Sequence, residues 1–83
     1  MDDELRRRAL ILIEREMLVQ GSCDYPRADH GKGLIEMAFA LDMIDDRQHQ
    51  AYVRLLSSVV EARQAHLRIQ LHAQRLGALK EAA

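Results

Sequence analysis

The sequence predicts an all-α protein that folds as a single domain, residues 1–83. In its C-terminal stretch, apolar residues recur in steps of three and four, which is the spacing of one helix face. Neither glycine nor proline occurs between Arg47 and Leu76, so nothing in that stretch stops a helix from propagating. We expect three helices, at residues 2–20, 33–44 and 46–80. The last two are expected to form an antiparallel hairpin and to dimerise into a helical bundle.

The composition fits one small folded domain. The chain has 83 residues, of which 48% are hydrophobic, so it is too apolar to be disordered. Only 4% are aromatic and tryptophan is absent, so the core is expected to be built from aliphatic side chains and methionine. Scarce aromatic residues also argue against the base-stacking platforms of RRM and OB modules.

The first predicted helix, residues 2–20, begins with an acidic run at residues 2–4, which is favourable at the positive end of a helix dipole. Gly21 is the expected end of this helix. A broad apolar face is formed by Leu5, Ala9, Leu10, Leu12, Ile13 and Met17. The arginine run at residues 6–8 lies opposite; it is a candidate patch for phosphate or an acidic partner, but its acidic flanks favour a solvated turn.

Residues 21–33 are predicted to form a loop, because they are dense in turn-forming residues. Pro26 restricts the preceding Tyr25 to an extended conformation. Asp29 is expected to cap the second helix. Since loops often carry function, Tyr25, Asp29 and His30 are treated as a candidate partner-binding loop.

Chemical sites in this loop are disfavoured by the residue spacing. Cys23 and His30 are zinc-binding residue types, but zinc normally takes four ligands in close pairs, which the sequence lacks. The His-Gly-Lys-Gly run at residues 30–33 precedes a helix as a phosphate loop does, yet it lacks the Walker pattern. A nucleophile pair of Cys23 with His30 or His49 lacks an orienting group and a pocket. We therefore expect no enzyme, no catalytic residue, no metal, no cofactor and no small-molecule substrate.

The second predicted helix, residues 33–44, is the most apolar segment, with only Glu36 and Asp42 charged. A helix that is apolar nearly all round is expected to be the central core element, buried on several sides. Any part left bare would be a dimer surface. Alternatively, Met37 and Met43 would line a groove for a partner, because methionine adapts to varied partners.

The long helix, residues 46–80, begins at a predicted capping box between Asp45 and Gln48. Its apolar residues fit a heptad seam, as in a coiled coil, formed by Tyr52, Leu55, Val59, Ala62, His66, Ile69, Ala73 and Leu76. The candidate dimer or partner interface consists of Tyr52, Leu55, Val59, His66, Ile69 and Leu76. The alternative is that the seam is the core-facing stripe of an ordinary helix.

The length of this helix exceeds the size of the domain. At about 1.5 Å per residue it spans about 50 Å, whereas a compact chain of this size is roughly 30 Å across. Its first half has a wide apolar arc that can pack on its own chain, and residues 68–80 have too little of the domain to lie against. We expect the helix either to break near Gly77 or to be covered by a second subunit.

Charge is distributed unevenly. The net charge is −1, but residues 1–46 carry six basic and eleven acidic residues, and residues 47–83 carry six basic and two acidic. An acidic head and a basic helix could attract each other within the chain or between subunits. Candidate phosphate contacts recur at heptad position c of the long helix: Arg47, Arg54, Arg68 and Arg75. Glu61 interrupts this column.

The expected function is that of a small non-catalytic helical interaction protein, which binds and regulates or assembles another macromolecule as a homodimer through its long C-terminal helix. The alternative is a nucleic-acid-associated transcriptional regulator that uses the basic face of that helix.

A single cysteine excludes an internal disulfide and fits a reducing compartment. The acidic N-terminus and the lack of a long apolar run predict a cytoplasmic protein without a membrane partner.

Overall fold

The structure is a computed structural model that describes residues 3–82, and the side chains of residues 3–79. In this range the chain forms three helices and no strand, which confirms the all-α prediction. They are α1 (Asp3–Gln20), α2 (Asp29–Ala40) and α3 (Asp46–Ala82). Asp2, the predicted first residue of α1, lies outside the described residues.

Helix α1 ends where the sequence predicts. The backbone N–H of Gly21 donates to the Met17 carbonyl at 2.9 Å, and that of Ser22 donates to the Val19 carbonyl at 3.2 Å. These bonds satisfy carbonyl groups that the last turn of a helix otherwise leaves without partners. Gly21 therefore lies just beyond the helix.

The predicted start of the second helix, residue 33, is wrong, because α2 begins four residues earlier. Gly31 and Gly33, expected in the loop, lie within the first two turns of the helix. The N-cap is Ala28, and no side chain of the described residues caps this helix end. Asp29 is therefore not the cap; its carboxylate lies in the first turn, where the helix dipole still favours negative charge.

The predicted end of this helix, residue 44, is also wrong, because α2 stops at Ala40. Asp42 adopts a left-handed conformation with φ of 57°. The Met43 N–H then donates to the Ala38 carbonyl at 2.8 Å, and the Asp42 N–H donates to the Phe39 carbonyl at 3.1 Å. This is the bonding pattern of a Schellman motif, which usually has glycine at the left-handed position. Aspartate is among the few other residues that tolerate this conformation.

The predicted capping box at the start of α3 is confirmed. Asp45 Oδ1 accepts from the Gln48 backbone N–H at 2.8 Å, and Gln48 Oε1 accepts from the Asp45 backbone N–H at 3.0 Å. Two N–H groups at the helix start thus gain partners. The antiparallel pairing of α2 with α3 stays a prediction.

The core lies where α1, α2 and the first half of α3 meet. Its buried side chains are Ile13, Met17, Ile35, Ala38, Ile44, Leu56 and Val60. Ile35 and Leu56 are completely inaccessible to solvent. As expected of a central core element, α2 packs against α1 on one side and against α3 on another. Its outer side is not covered, because two neighbouring helices cannot surround a third. Met37, on its outer side, remains 64% exposed.

The core-facing stripe of α3 is not the predicted seam. Leu56 and Val60 are buried, and Val53, Arg63 and Leu67 beside them are half-buried. The seam lies on the adjacent side of the helix, although its first residue, Tyr52, packs against the core. Both interpretations of the seam, as an interface and as a core-facing stripe, therefore stay predictions.

Helix α3 passes Gly77 without a break and extends to Ala82, so the predicted break there is wrong. Every residue from 68 to 79 is exposed. We call residues 68–79 the overhang. Because of it, the molecule measures 65 × 19 × 14 Å rather than the roughly 30 Å diameter of a compact chain.

Helix α2 lies close to α3 at Gly31. A Cβ atom at Gly31 would lie 2.7 Å from Leu56 Cδ2 and 3.1 Å from Leu56 Cδ1, closer than such atoms pack. At Gly33, two residues further along α2, no heavy atom of the described chain would lie within 4 Å. Glycine at position 31 thus lets α2 rest directly on the buried Leu56 side chain.

Gly31→Ala and Gly33→Ala are a matched pair that tests this approach. Gly33→Ala adds a methyl group in open space and should raise the free energy of unfolding by up to about 1 kcal/mol, since alanine favours a helix. In Gly31→Ala, overpacking against Leu56 should lower the free energy of unfolding by about 1–3 kcal/mol, which offsets the gain in helix propensity. Urea unfolding should therefore give Gly33→Ala a higher free energy of unfolding than Gly31→Ala. Equal stability of the two variants would show that the helices do not pack this closely.

Candidate interaction surfaces

The predicted interface residues line one side of α3, and we call them the seam surface: Tyr52, Leu55, Val59, His66, Ile69 and Leu76. Tyr52 and Val59 are half-buried, and the other four are exposed. Leu55 retains 49% of its accessible surface and Ile69 retains 68%. Partly or largely exposed side chains, apolar except for His66, therefore recur along more than six turns of the helix.

Helix α1 borders the first half of the seam surface. A Cβ atom at Gly21 would lie 3.4 Å from Val59 Cγ1, and the Glu14 carboxylate acts on the Tyr52 hydroxyl. Leu18 follows Glu14 by four residues and precedes Gly21 by three, so it lies on the same side of α1 as these two contacts. Leu18 is among the most exposed apolar side chains of the described chain, so it extends the apolar area beside the seam.

Burial raises the pKa of the Tyr52 hydroxyl above its ordinary value of 10.0, and the nearby Glu14 carboxylate raises the same pKa further. Both effects disfavour a phenolate. At neutral pH Tyr52 is thus an uncharged hydrogen-bond donor at one end of the seam surface.

A shallow depression lies on the seam surface where α1 ends. Its volume is about 430 Å³, and it is lined by Gly21, Val59, Ala62, Arg63 and His66. Glycine and alanine create this depression, because they leave room between the longer side chains. It is the concave part of an otherwise convex helix face.

The overhang combines apolar and basic residues. Its large apolar residues are Ile69, Leu71, Leu76 and Leu79, all exposed. It contains Arg68 and Arg75 but neither aspartate nor glutamate. The overhang continues a helix whose first half is packed, but it adds no buried contact of its own to the core.

A second apolar groove lies between α1 and α2, and we call it the head groove. It encloses about 230 Å³ and is lined by Leu5, Arg8, Ala9, Leu12, Ile13, Leu34, Met37, Ala38, Leu41 and Met43. The alternative that Met37 and Met43 line a groove agrees with this arrangement. Sequence reasoning did not name Leu41 as part of the groove, because Leu41 was placed inside the second helix, whereas it lies just beyond the end of α2.

The predicted partner loop is divided by the fold. Tyr25, 83% exposed, lines an open depression together with Leu67 and Arg68 of α3. Asp29 and His30 belong to α2 instead, and His30 Nε2 lies 3.8 Å from Glu16 Oε2 of α1. Tyr25 and His30 thus have different neighbours, and a shared partner surface for the three residues stays a prediction.

Arg63 anchors the loop, and sequence reasoning missed it. Its Nε donates to the Cys23 carbonyl at 2.9 Å, and its Nη2 donates to the Ser22 carbonyl at 3.3 Å. From the α1 side, Gln20 Oε1 accepts from the Arg27 backbone N–H at 2.7 Å. The only available signal was that Arg63 occupies a position on the stripe that buries Leu56.

Cys23 and His49 have different hydrogen-bond partners in the structure. Cys23 Sγ donates to Gln20 Oε1 at 3.4 Å, whereas His49 Nε2 lies 2.6 Å from Glu36 Oε1 and its ring contacts Phe39. His49 thereby joins α3 to α2. The described part of the chain holds no group of three or more His, Cys, Asp or Glu residues arranged to hold a metal ion.

The basic column of α3 is open to solvent. Its members Arg47, Arg54, Arg68 and Arg75 are all exposed. Within residues 3–79 none of the four forms an ion pair. Glu61 is also exposed, so it interrupts the column without neutralising a particular arginine.

Comparison of the chain with protein-family models, with curated proteins and with solved structures gives no match. Within residues 3–82, no helix combines the length and the apolar content that crossing a membrane requires. Function is therefore inferred from the two apolar surfaces and the basic column.

Proposed function

We propose that this protein is a non-catalytic interaction module, which forms a homodimer through the seam surface of α3 and in that form binds and regulates or assembles another macromolecule. The observation that carries the proposal is the overhang. Residues 68–79 are helical, and Ile69, Ala73 and Leu76 continue the seam there, yet all of these residues are exposed. A helix end with no neighbour in its own chain needs a partner to cover it.

The expected gain from covering the seam is large for so small a protein. Full burial of a large aliphatic side chain contributes roughly 1.5–3 kcal/mol. Leu55, Ile69 and Leu76 each have about half or more of their surface to lose. Even partial burial of these three residues in two copies is therefore comparable to the total stability of a small domain, about 5–15 kcal/mol.

The head groove supports a second contact, with another protein. Its lining is almost entirely apolar, and the one charged residue that borders it, Arg8, is already paired with Glu4 at 3.2 Å. Such a groove accepts the apolar face of an amphipathic helix. Met37 stands at its edge with most of its flexible side chain exposed, so it can adjust to the shape of that helix.

Ile69→Asp tests the dimer. The charge would lie in the seam interface, so light scattering at micromolar concentration should show the dimer of the wild-type chain and a monomer of the variant. Because Ile69 is exposed within its own chain, helix content by circular dichroism should be largely kept.

Gln74→Asp is the matched control, since Gln74 is exposed on the overhang outside the heptad seam and gains the same charge. It should stay dimeric. A wild-type chain that remains monomeric at high concentration would overturn the proposed homodimer.

Met37→Lys tests the head groove, with Ala40→Lys as its control. Both residues are exposed on α2, but only Met37 lines the groove. Affinity purification from the native host should recover a protein with wild-type and Ala40→Lys baits and lose it with Met37→Lys. The same protein must then bind in purified form; equal recovery by all three baits would exclude the groove as its contact.

A nucleic-acid-associated regulator is the second candidate. It is favoured by the basic column, four exposed arginines without ion pairs among the described residues. Their repeat of seven residues, with one position omitted, distributes them over about 42 Å along one side of the helix. Such a row can contact several phosphates but reads no base sequence by itself.

Arg54→Gln with Arg68→Gln tests this candidate against a control of equal charge outside α3, Arg15→Gln with Arg27→Gln, both of which are exposed. If the column binds duplex DNA, the first pair of substitutions should reduce the slope of log K against log salt concentration by the equivalent of about two phosphate contacts. The control pair should leave this slope unchanged. Failure of the wild-type chain to shift mixed DNA or RNA at low salt would eliminate the candidate.

A further inference from the structure

We infer that the dimer is antiparallel, with residue 64 of the two α3 helices near the two-fold axis, so that each overhang lies along the first half of the other copy's seam. This inference rests on the proposed homodimer and specifies its geometry. It is supported by the register of the seam, by the position of α1 and by the distribution of charge.

The seam residues are spaced symmetrically about residue 64. In an antiparallel pairing centred there, each seam residue meets one of different size. The four resulting layers are Tyr52 with Leu76, Leu55 with Ala73, Val59 with Ile69, and Ala62 with His66. Each alanine therefore faces a larger side chain, which is how close-packed layers alternate.

A parallel pairing in register would match like with like. Ala73 would face Ala73 and Ala62 would face Ala62, which leaves space at two layers, and a void in an interface costs stability. His66 would face a second His66, so that two imidazoles would share one layer of the interface. The antiparallel register avoids both consequences.

The position of α1 favours the same orientation. This helix borders the first half of the seam closely enough to half-bury Tyr52 and Val59. In a parallel dimer the α1 helices of both copies would lie beside the first halves of the two seams and would crowd each other. In an antiparallel dimer the first half of each seam faces only the overhang of the other copy, a single helix about 10–12 Å in diameter.

The depression beside Val59 provides room for the incoming overhang. It is lined by Gly21, Ala62 and His66 as well, and it lies on the seam where the register brings Ile69 of the second copy. Ile69 is a large side chain with 68% of its surface exposed. A concave site thus meets a protruding side chain, and Leu18 of α1 adds apolar surface beside it.

Charge complementarity supports the same arrangement. We call residues 1–46 the head; they contain five more acidic than basic residues. The overhang carries Arg68 and Arg75 and contains no acidic residue. An antiparallel dimer places each basic overhang beside an acidic head. A parallel dimer places head beside head and overhang beside overhang, which juxtaposes like charges.

Disulfide cross-linking distinguishes the two orientations. Cys23, the single cysteine, is first replaced (Cys23→Ser), and Leu55→Cys and Ala73→Cys are then made as separate chains, one of them carrying an affinity tag that changes its size on a gel. A disulfide needs Cα atoms about 4.4–6.8 Å apart. In the antiparallel dimer the two copies of residue 73 lie about 27 Å apart along the axis.

Mixed chains, allowed to exchange subunits and then oxidised, should yield the product that links residue 55 to residue 73. Ala73→Cys alone should give little self-linked product, because its two thiols are far apart. Gln74→Cys, which lies outside the seam, is the control that measures how much disulfide forms by random collision.

The results separate this inference from the dimer itself. A Cys23→Ser chain that is monomeric by light scattering, with helix content intact, would overturn the proposed homodimer and the orientation with it. A dimer in which Ala73→Cys links efficiently to itself would overturn only the antiparallel orientation.

Discussion

The fold depends on the contact between Gly31 of α2 and Leu56 of α3. A helix that starts with glycine in its first turn can lie against a completely buried leucine without an intervening side chain. This close approach brings Ile35 and Ala38 into the core beside Ile13 and leaves the outer side of α2 exposed. The head groove lies between α1 and this exposed side of α2, with Met37 among its lining residues.

The second constraint is the difference in length between the helices. α1 has 18 residues, α2 has 12 and α3 has 37, so α3 extends well beyond the other two. Its first half is fixed to the chain by Leu56 and Val60, and by Arg63, which holds the loop carbonyls. The overhang has none of these contacts within its own chain. The contacts that hold α3 to its own chain are thus confined to its first half.

Sequence patterns predicted the helices better than their ends. The boundary at Gly21 and the capping box at Asp45 follow local rules that need no tertiary contact. The start of α2 did not follow such a rule, because glycines at 31 and 33 usually indicate a loop, and here one of them is required by packing against Leu56. Its end was missed because Asp42 occupies a left-handed position where glycine is the usual signal.

The sequence by itself determined the helical class, the heptad seam from Tyr52 to Leu76 and the uneven charge of head and overhang, because these follow from residue type and spacing along one chain. Only the tertiary structure decided which side of α3 faces the core. Two neighbouring apolar stripes, one containing Leu56 and the other Leu55, have similar periodicity. The choice between them depends on where α1 and α2 pack, a contact between distant residues that spacing within one helix cannot specify.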